Sequence, residues 1–167
     1  YESEANLRRV LYVAGEGGEL VKDGSEWTKA YAQKDLQSAV DVASIYSKFN
    51  NKQAYVFVKG SDIPVNALTL RDGVSLYGSL NYRFYQEAEK KDDNSYDEDK
   101  LKDYVNNIKS DRTGVAAKGT TVSTVRGIVD ASGSDDSKGF LIDGFWIKGT
   151  GSQATPVVSL NNPGSAI

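Results

Sequence analysis

The sequence predicts a single, mainly β domain of 167 residues, built as a solenoid in which short strands stack as successive coils. Three observations predict it. Residues 70–79 (LRDGVSLYGS) and 141–150 (LIDGFWIKGT) align without gaps and share an Asp-Gly pair flanked by apolar residues. A weaker strand, 125–131, begins about 20 residues before Phe145, a spacing typical of solenoid repeats. The strands beside each Asp-Gly pair are too short for the hairpins of a β-sandwich.

A short strand without an antiparallel neighbour in its own repeat must pair with the equivalent strand one coil away. We therefore predict that the two aligned segments are successive rungs in register, with Val74 stacked on Phe145. The two Asp-Gly pairs are predicted to turn corners, because glycine allows backbone conformations that a β-carbon penalises. The alternative is that L-x-D-G is an ordinary β-turn signature that occurs twice by chance. Residues predicted to point inward are Leu70, Val74, Leu76, Leu141, Phe145 and Ile147, and those predicted to point outward are Ser75, Tyr77, Trp146 and Lys148.

Within the first 60 residues the sequence predicts a strand, a glycine-rich loop and an amphipathic helix. The strand is 10–14, rich in β-branched and aromatic residues. The helix is 35–49, with Asp35 as its N-cap. Residues 61–167 then supply the first coils. The apolar positions of the helix recur at helical spacing and are Leu36, Ala39, Val40, Ala43, and Tyr46 or Ser47.

A charged insertion interrupts the coils at 81–112. Its first part is a polar loop, and Leu101, Tyr104, Val105 and Ile108 then recur at the spacing of a helix of about three turns. Insertions in solenoids collect on one face and often carry binding residues.

Composition excludes several kinds of chemistry. The chain has no Cys and no His, which excludes thiol nucleophiles, His-dependent triads and the usual zinc sites. Its net charge of −3 disfavours nucleic acid as a partner. No apolar run is long enough to cross a bilayer, so we predict no direct membrane insertion.

No cofactor is predicted, although two motifs partly match a calcium-binding loop and a dinucleotide-binding loop. The acidic run at 92–99 offers oxygen ligands for calcium but lacks the glycine of an EF-hand loop, and a solvated loop is favoured. The glycine-rich run at 15–20 lacks the third glycine of a dinucleotide fingerprint, since Leu20 stands there.

The order of these motifs resembles the N-terminal portion of right-handed parallel β-helix proteins of the pectate-lyase-like class, especially large secreted or surface proteins of Bacteroidetes-type bacteria. The resemblance implies that the 35–49 helix caps the N-terminal end of the β-helix. It also implies a longer parent chain, located outside the cell or at the bacterial surface in association with the outer membrane. The matching segments are Tyr12-Val13, 23–27 (DGSEW), 35–40 (DLQSAV), 56–60 (VFVKG), 70–78 and 141–149.

The function implied is that of a non-catalytic surface domain in adhesion, scaffolding or glycan contact, with a polysaccharide or another surface protein as partner. Tyr77, Tyr82, Tyr85 and Trp146 are the candidate binding residues, because exposed rings can stack on sugars or dock a protein. The alternative for these rings is packing between coils or under the insertion.

A second functional alternative is the N-terminal part of a polysaccharide lyase or glycoside hydrolase acting on acidic glycans. By resemblance, the candidates for proton abstraction are Arg126, Asp130, Asp143 and Lys148. Simpler roles are a corner for Asp143 and a solvated outer face for Lys148 and Arg126, and no catalytic residue is predicted.

Overall fold

The computed structural model describes residues 9–13, 32–33, 36–60, 62–80, 98–108, 112, 122–130, 139–149 and 158–159. These ranges contain nine strands and two helices, numbered in chain order. The helices are α1 (Leu36–Asn50) and α2 (Glu98–Asn106). The strands are β1 (Val10–Val13), β2 (Ala32–Gln33), β3 (Ala54–Lys59), β4 (Asp62–Thr69), β5 (Val74–Leu80), β6 (Ser123–Asp130), β7 (Leu141–Asp143), β8 (Phe145–Lys148) and β9 (Val158–Ser159).

The described strands form two sheets, and within each sheet every pair of neighbouring described strands is parallel. The first sheet has the order β2-β1-β3-β5-β7, and the second has the order β4-β6-β8 with β9 also paired to β6. From β3 to β8 the chain passes to the other sheet after every strand. Each of these strands therefore pairs with the next strand but one along the chain. Because no consecutive strands pair in this region, neither Asp-Gly pair closes a hairpin. The right-handed parallel β-helix itself stays a prediction.

The register predicted between the two Asp-Gly segments is wrong. Val74 lies in the first sheet and Phe145 in the second, while Ser75 stands opposite Leu141. Both glycines do turn corners, with φ values of 77° at Gly73 and 79° at Gly144. The first corner leads from the second sheet into the first, and the other leads back. An Asp-Gly pair indicates only the local backbone conformation. It predicts that the chain turns a corner there, but not which sheet the chain leaves and which it enters.

The predicted interior is confirmed for Leu70, Val74 and Leu76, which belong to the buried core. It is wrong for Leu141, which is only partly buried, because its neighbour Ile142 stands opposite Leu76 and enters the core instead. Phe145 and Ile147 are partly buried and pack against the core as predicted. Other core residues from both sheets are Leu11, Val13, Val56, Val58, Leu68, Val125 and Val129.

Helix α1 follows the prediction within one residue at each end. Its buried residues are Leu36, Ala39, Val40, Ala43 and Ser47, and it contacts β1, β2, β3, β4 and β5. Ser47 has its hydroxyl buried without a hydrogen-bond partner among the described residues. The helix thereby closes one side of the core.

Helix α1 also protects the edge of the second sheet. β4 is the terminal strand of that sheet in the described part of the chain. The Gln37 side chain accepts a hydrogen bond from Thr69 N at 2.8 Å and donates one to Thr69 O at 3.0 Å. Asp41 accepts hydrogen bonds from Gln37 and from Arg71. The amide of Gln37 thus occupies the hydrogen-bonding position of a neighbouring strand, which satisfies backbone groups that an open edge would leave unpaired.

Candidate functional site

The two predicted binding residues that the structure describes, Tyr77 and Trp146, lie on different sheets. Trp146 lies on β8 in the second sheet and Tyr77 on β5 in the first. Tyr82 and Tyr85 lie outside the described residues. The two described rings must therefore be considered as separate surfaces.

Trp146 is the large aromatic residue exposed on the strands whose side chains the structure describes, with 50% of its surface accessible. Lys148, two positions along the same face of β8, places its Nζ 3.7 Å from the centroid of the indole ring. β8 pairs with β6 so that Thr124 stands opposite Trp146 and Arg126 stands opposite Lys148. The outer face of the second sheet thus combines a half-exposed indole with the adjacent ammonium group of Lys148.

Tyr77 belongs to a packed column of rings on the outer face of the first sheet. Its ring centroid lies 6.5 Å from that of Tyr55 and 6.0 Å from that of Phe57. Tyr104 of α2 meets Phe57 edge-on with their centroids 4.9 Å apart. Tyr77 is therefore only 7% exposed, although its side chain points outward as predicted. For Tyr77 the structure therefore agrees with the alternative role, in which an aromatic ring packs under the insertion instead of binding a ligand.

Burial raises the pKa of three phenols in the described residues, which makes their anionic form even rarer at neutral pH than in an ordinary tyrosine. The pKa of Tyr77 is raised to about 12, chiefly by desolvation and to a lesser extent by Tyr55 and Asp143, with Arg112 opposing the rise. Burial also raises the pKa of Tyr55 and of Tyr46. A phenol with a raised pKa is a poor general base near pH 7, so these tyrosines do not suit proton abstraction.

Arg112, which the sequence analysis did not single out, joins two successive strands of the first sheet at their ends. Its Nε donates to the carbonyl of Gly78 at 3.0 Å. Its Nη1 donates to Asp143 Oδ2 at 3.2 Å, and its Nη2 donates to the Asp143 carbonyl at 3.3 Å. The guanidinium thus fixes the corner between β7 and β8 to the end of β5. No motif around Arg112 signals this role.

Two buried serines use their hydroxyls within the same corner region. Ser79 Oγ donates to Gly144 O at 2.5 Å, and Ser123 Oγ donates to Lys59 O at 2.9 Å. Each hydroxyl also accepts a hydrogen bond from the other serine's backbone N–H, at 2.9 and 2.7 Å. Both hydroxyls are committed to backbone groups, which suits them to a structural role rather than to nucleophilic attack.

The four candidates for lyase chemistry are dispersed. Arg126 and Lys148 are neighbours by register, whereas Asp130 is at the opposite end of β6. Asp143 ends β7 in the first sheet and binds Arg112. The arrangement brings two basic positions together and places neither carboxylate opposite them.

Among the residues that the structure describes, no group of three acidic side chains is placed to hold a metal ion. Most of the acidic run at 92–99 lies outside those residues. No helix in the described ranges is both long enough and apolar enough to cross a bilayer.

Comparison of the chain with protein-family models, with curated proteins and with solved structures gives no match. Its function is therefore inferred from its own residues and geometry.

Proposed function

We propose that the chain is the N-terminal, helix-capped part of a right-handed parallel β-helix. In this proposal it is a non-catalytic domain of an extracellular or cell-surface bacterial protein, acting in adhesion, scaffolding or glycan contact. Two features support the architecture: the regular change of sheet from β3 to β8, and the protection of the β4 edge by Gln37. Stacked parallel strands produce a long, flat outer face, which suits an extended polymer.

The observation that carries glycan contact is the half-exposed indole of Trp146 on such a face. The other large apolar side chains exposed in the described ranges, Ile45 and Phe49, lie on α1. An indole offers a rigid apolar surface for the C–H face of a sugar ring, and it loses little entropy when a ligand binds. Lys148, whose Nζ lies over the indole ring 3.7 Å from its centroid, can donate hydrogen bonds to sugar oxygens.

A binding role agrees better with the geometry than catalysis does. Asp143 is paired with Arg112, and the phenols of Tyr46, Tyr55 and Tyr77 have raised pKa values. A lyase or hydrolase would need a base or two carboxylates converging on one substrate position. The described residues do not offer that convergence on the outer face of the second sheet.

The experiment is a glycan array probed with the purified chain and two variants. We expect binding to one or more glycans, and a loss of at least about fivefold in affinity for Trp146→Ala, since an aromatic contact contributes about 1 kcal/mol beyond its buried area. Phe49→Ala is the matched control, because it removes another exposed ring, 64% accessible, from α1. Its affinity should be unchanged.

Equal binding by Trp146→Ala and the unaltered chain would contradict the assignment of the site. An array on which the unaltered chain binds nothing would contradict glycan contact altogether. Circular dichroism of both variants should show that neither change unfolds the protein.

A further inference from the structure

A cleft of about 250 Å³ lies between α2 and the outer face of the first sheet. We propose that it binds one neutral sugar residue. The site is separate from Trp146, which lies on the second sheet, and it shares with the proposed function only the class of ligand. The cleft is smaller than the range of about 300 to 1,000 Å³ typical of pockets for drug-sized ligands, so a single ring suits it better than an oligosaccharide.

Tyr55 supplies the flat side of the cleft. Its ring is half-buried and lies 6.0 Å from Phe57 and 6.5 Å from Tyr77, both nearly parallel to it. These neighbours hold the ring in place before any ligand arrives, which reduces the entropy lost on binding. Leu101 and Val105, one helical turn apart on α2, add apolar surface. A sugar ring can thus place its C–H groups against Tyr55.

Polar groups line the helix side of the cleft at positions suited to hydroxyls. Glu98, Lys102 and Asn106 follow one another at intervals of four residues, so they lie along one face of α2. The carboxylate only accepts hydrogen bonds, the ammonium only donates them, and the amide does both. A hydroxyl group can donate and accept at once, so a polyhydroxylated ring can satisfy all three.

The charges around the cleft favour a neutral sugar over a charged one. Glu98 Oε1 is paired with Arg9 and lies 3.9 Å from Lys52 Nζ. Asp99 and Lys102, which also line the cleft, carry opposite charges. Because carboxylates and cations nearly balance, neither an acidic nor an amino sugar gains a net attraction over a neutral one.

The test is a titration of the ¹⁵N-labelled full chain followed by two-dimensional NMR, with the methyl glycosides of glucose, galactose and mannose as probes. We expect at least one of them to shift the amide signals of Tyr55, Leu101, Lys102 and Val105 in a saturable way. The same shifts should occur in Trp146→Ala, which separates this site from the one tested on the array.

Asn106→Ala and Lys102→Ala should each weaken the affinity by about three- to tenfold, the contribution of one hydrogen bond. Both side chains are exposed, so neither change should unfold the protein. Lys48→Ala, an exposed position on α1, is the matched control and should bind as the unaltered chain does. Equal affinity of all three variants would contradict the proposed contacts.

Other outcomes would overturn the proposal. Absence of saturable shifts with every neutral probe at several tens of millimolar would remove the site. Binding of glucuronic acid or glucosamine in preference to the neutral probes would show that the ligand class is wrong. Loss of the shifts in Trp146→Ala would assign the binding to the second sheet instead.

Discussion

Replacing Gly144 by alanine should lower the free energy of unfolding by about 3 kcal/mol or more. Gly144 has a φ of 79°, a left-handed conformation that costs a residue with a β-carbon about 1 to 2 kcal/mol. A β-carbon there would also lie 2.6 Å from the Gly78 carbonyl oxygen and would overlap the Arg112 guanidinium. The strain and the overlap occur at the corner where the chain passes from β7 to β8, so the stacking of both sheets is affected.

Urea denaturation followed by circular dichroism measures this loss. Arg112→Ala is the informative second variant, because it removes one of the two groups that the new β-carbon meets. In that background the penalty of Gly144→Ala should be smaller by at least about 0.5 kcal/mol, the coupling expected between contacting residues. A Gly144→Ala protein as stable as the unaltered chain would show that the corner is not formed as described.

Replacing Phe57 by alanine should cost about 3 to 5 kcal/mol, the usual range for deleting a buried aromatic ring. Phe57 is completely buried and contacts the rings of Tyr55, Tyr77 and Tyr104. Because Tyr104 is the contact from α2, the cavity would also weaken the attachment of that helix. Hydrogen exchange of the α2 amides should therefore accelerate together with the loss of global stability.

Phe49→Ala serves as the control for this substitution, since the same ring is removed from a position that is 64% exposed. Its effect should stay within about 0.5 kcal/mol. A loss below about 1 kcal/mol for Phe57→Ala would contradict the packing of α2 on the first sheet, because a ring on an uncovered face leaves no cavity.

Local features of this chain were predictable because they depend on neighbouring residues. The recurrence of Leu36, Ala39, Val40 and Ala43 determines which face of α1 is buried, since a helix has its own period. The corner at Gly144 was predictable for a similar reason: glycine marks a backbone conformation, whatever lies across from it.

Features that depend on contacts distant in sequence were not predictable. Val74 and Phe145 occupy equivalent places in two similar segments, yet they lie in different sheets. The sheet that a strand joins depends on which distant strand lies beside it, and the sequence of the segment does not indicate that neighbour. Tyr77 and Trp146 both occupy outward positions on short strands. Tyr77 is nevertheless buried, because α2 packs on the column of rings that contains it, whereas Trp146 is half-exposed. Arg112 binds partners 31 and 34 residues away, and nothing in its surroundings indicates them.

The most direct test of the alternating parallel stack is disulfide formation between paired cysteines, for which a chain without native cysteine is suited. Ser75→Cys with Leu141→Cys, and Thr124→Cys with Trp146→Cys, place cysteines on residues that stand opposite each other. Neighbouring strands lie about 4.8 Å apart, within the Cα separation of about 4.4 to 6.8 Å that a disulfide needs. Mild oxidation and mass spectrometry of peptides should find both crosslinks, and none for Val74→Cys with Phe145→Cys. A crosslink in that third variant without the other two would contradict the two-sheet arrangement.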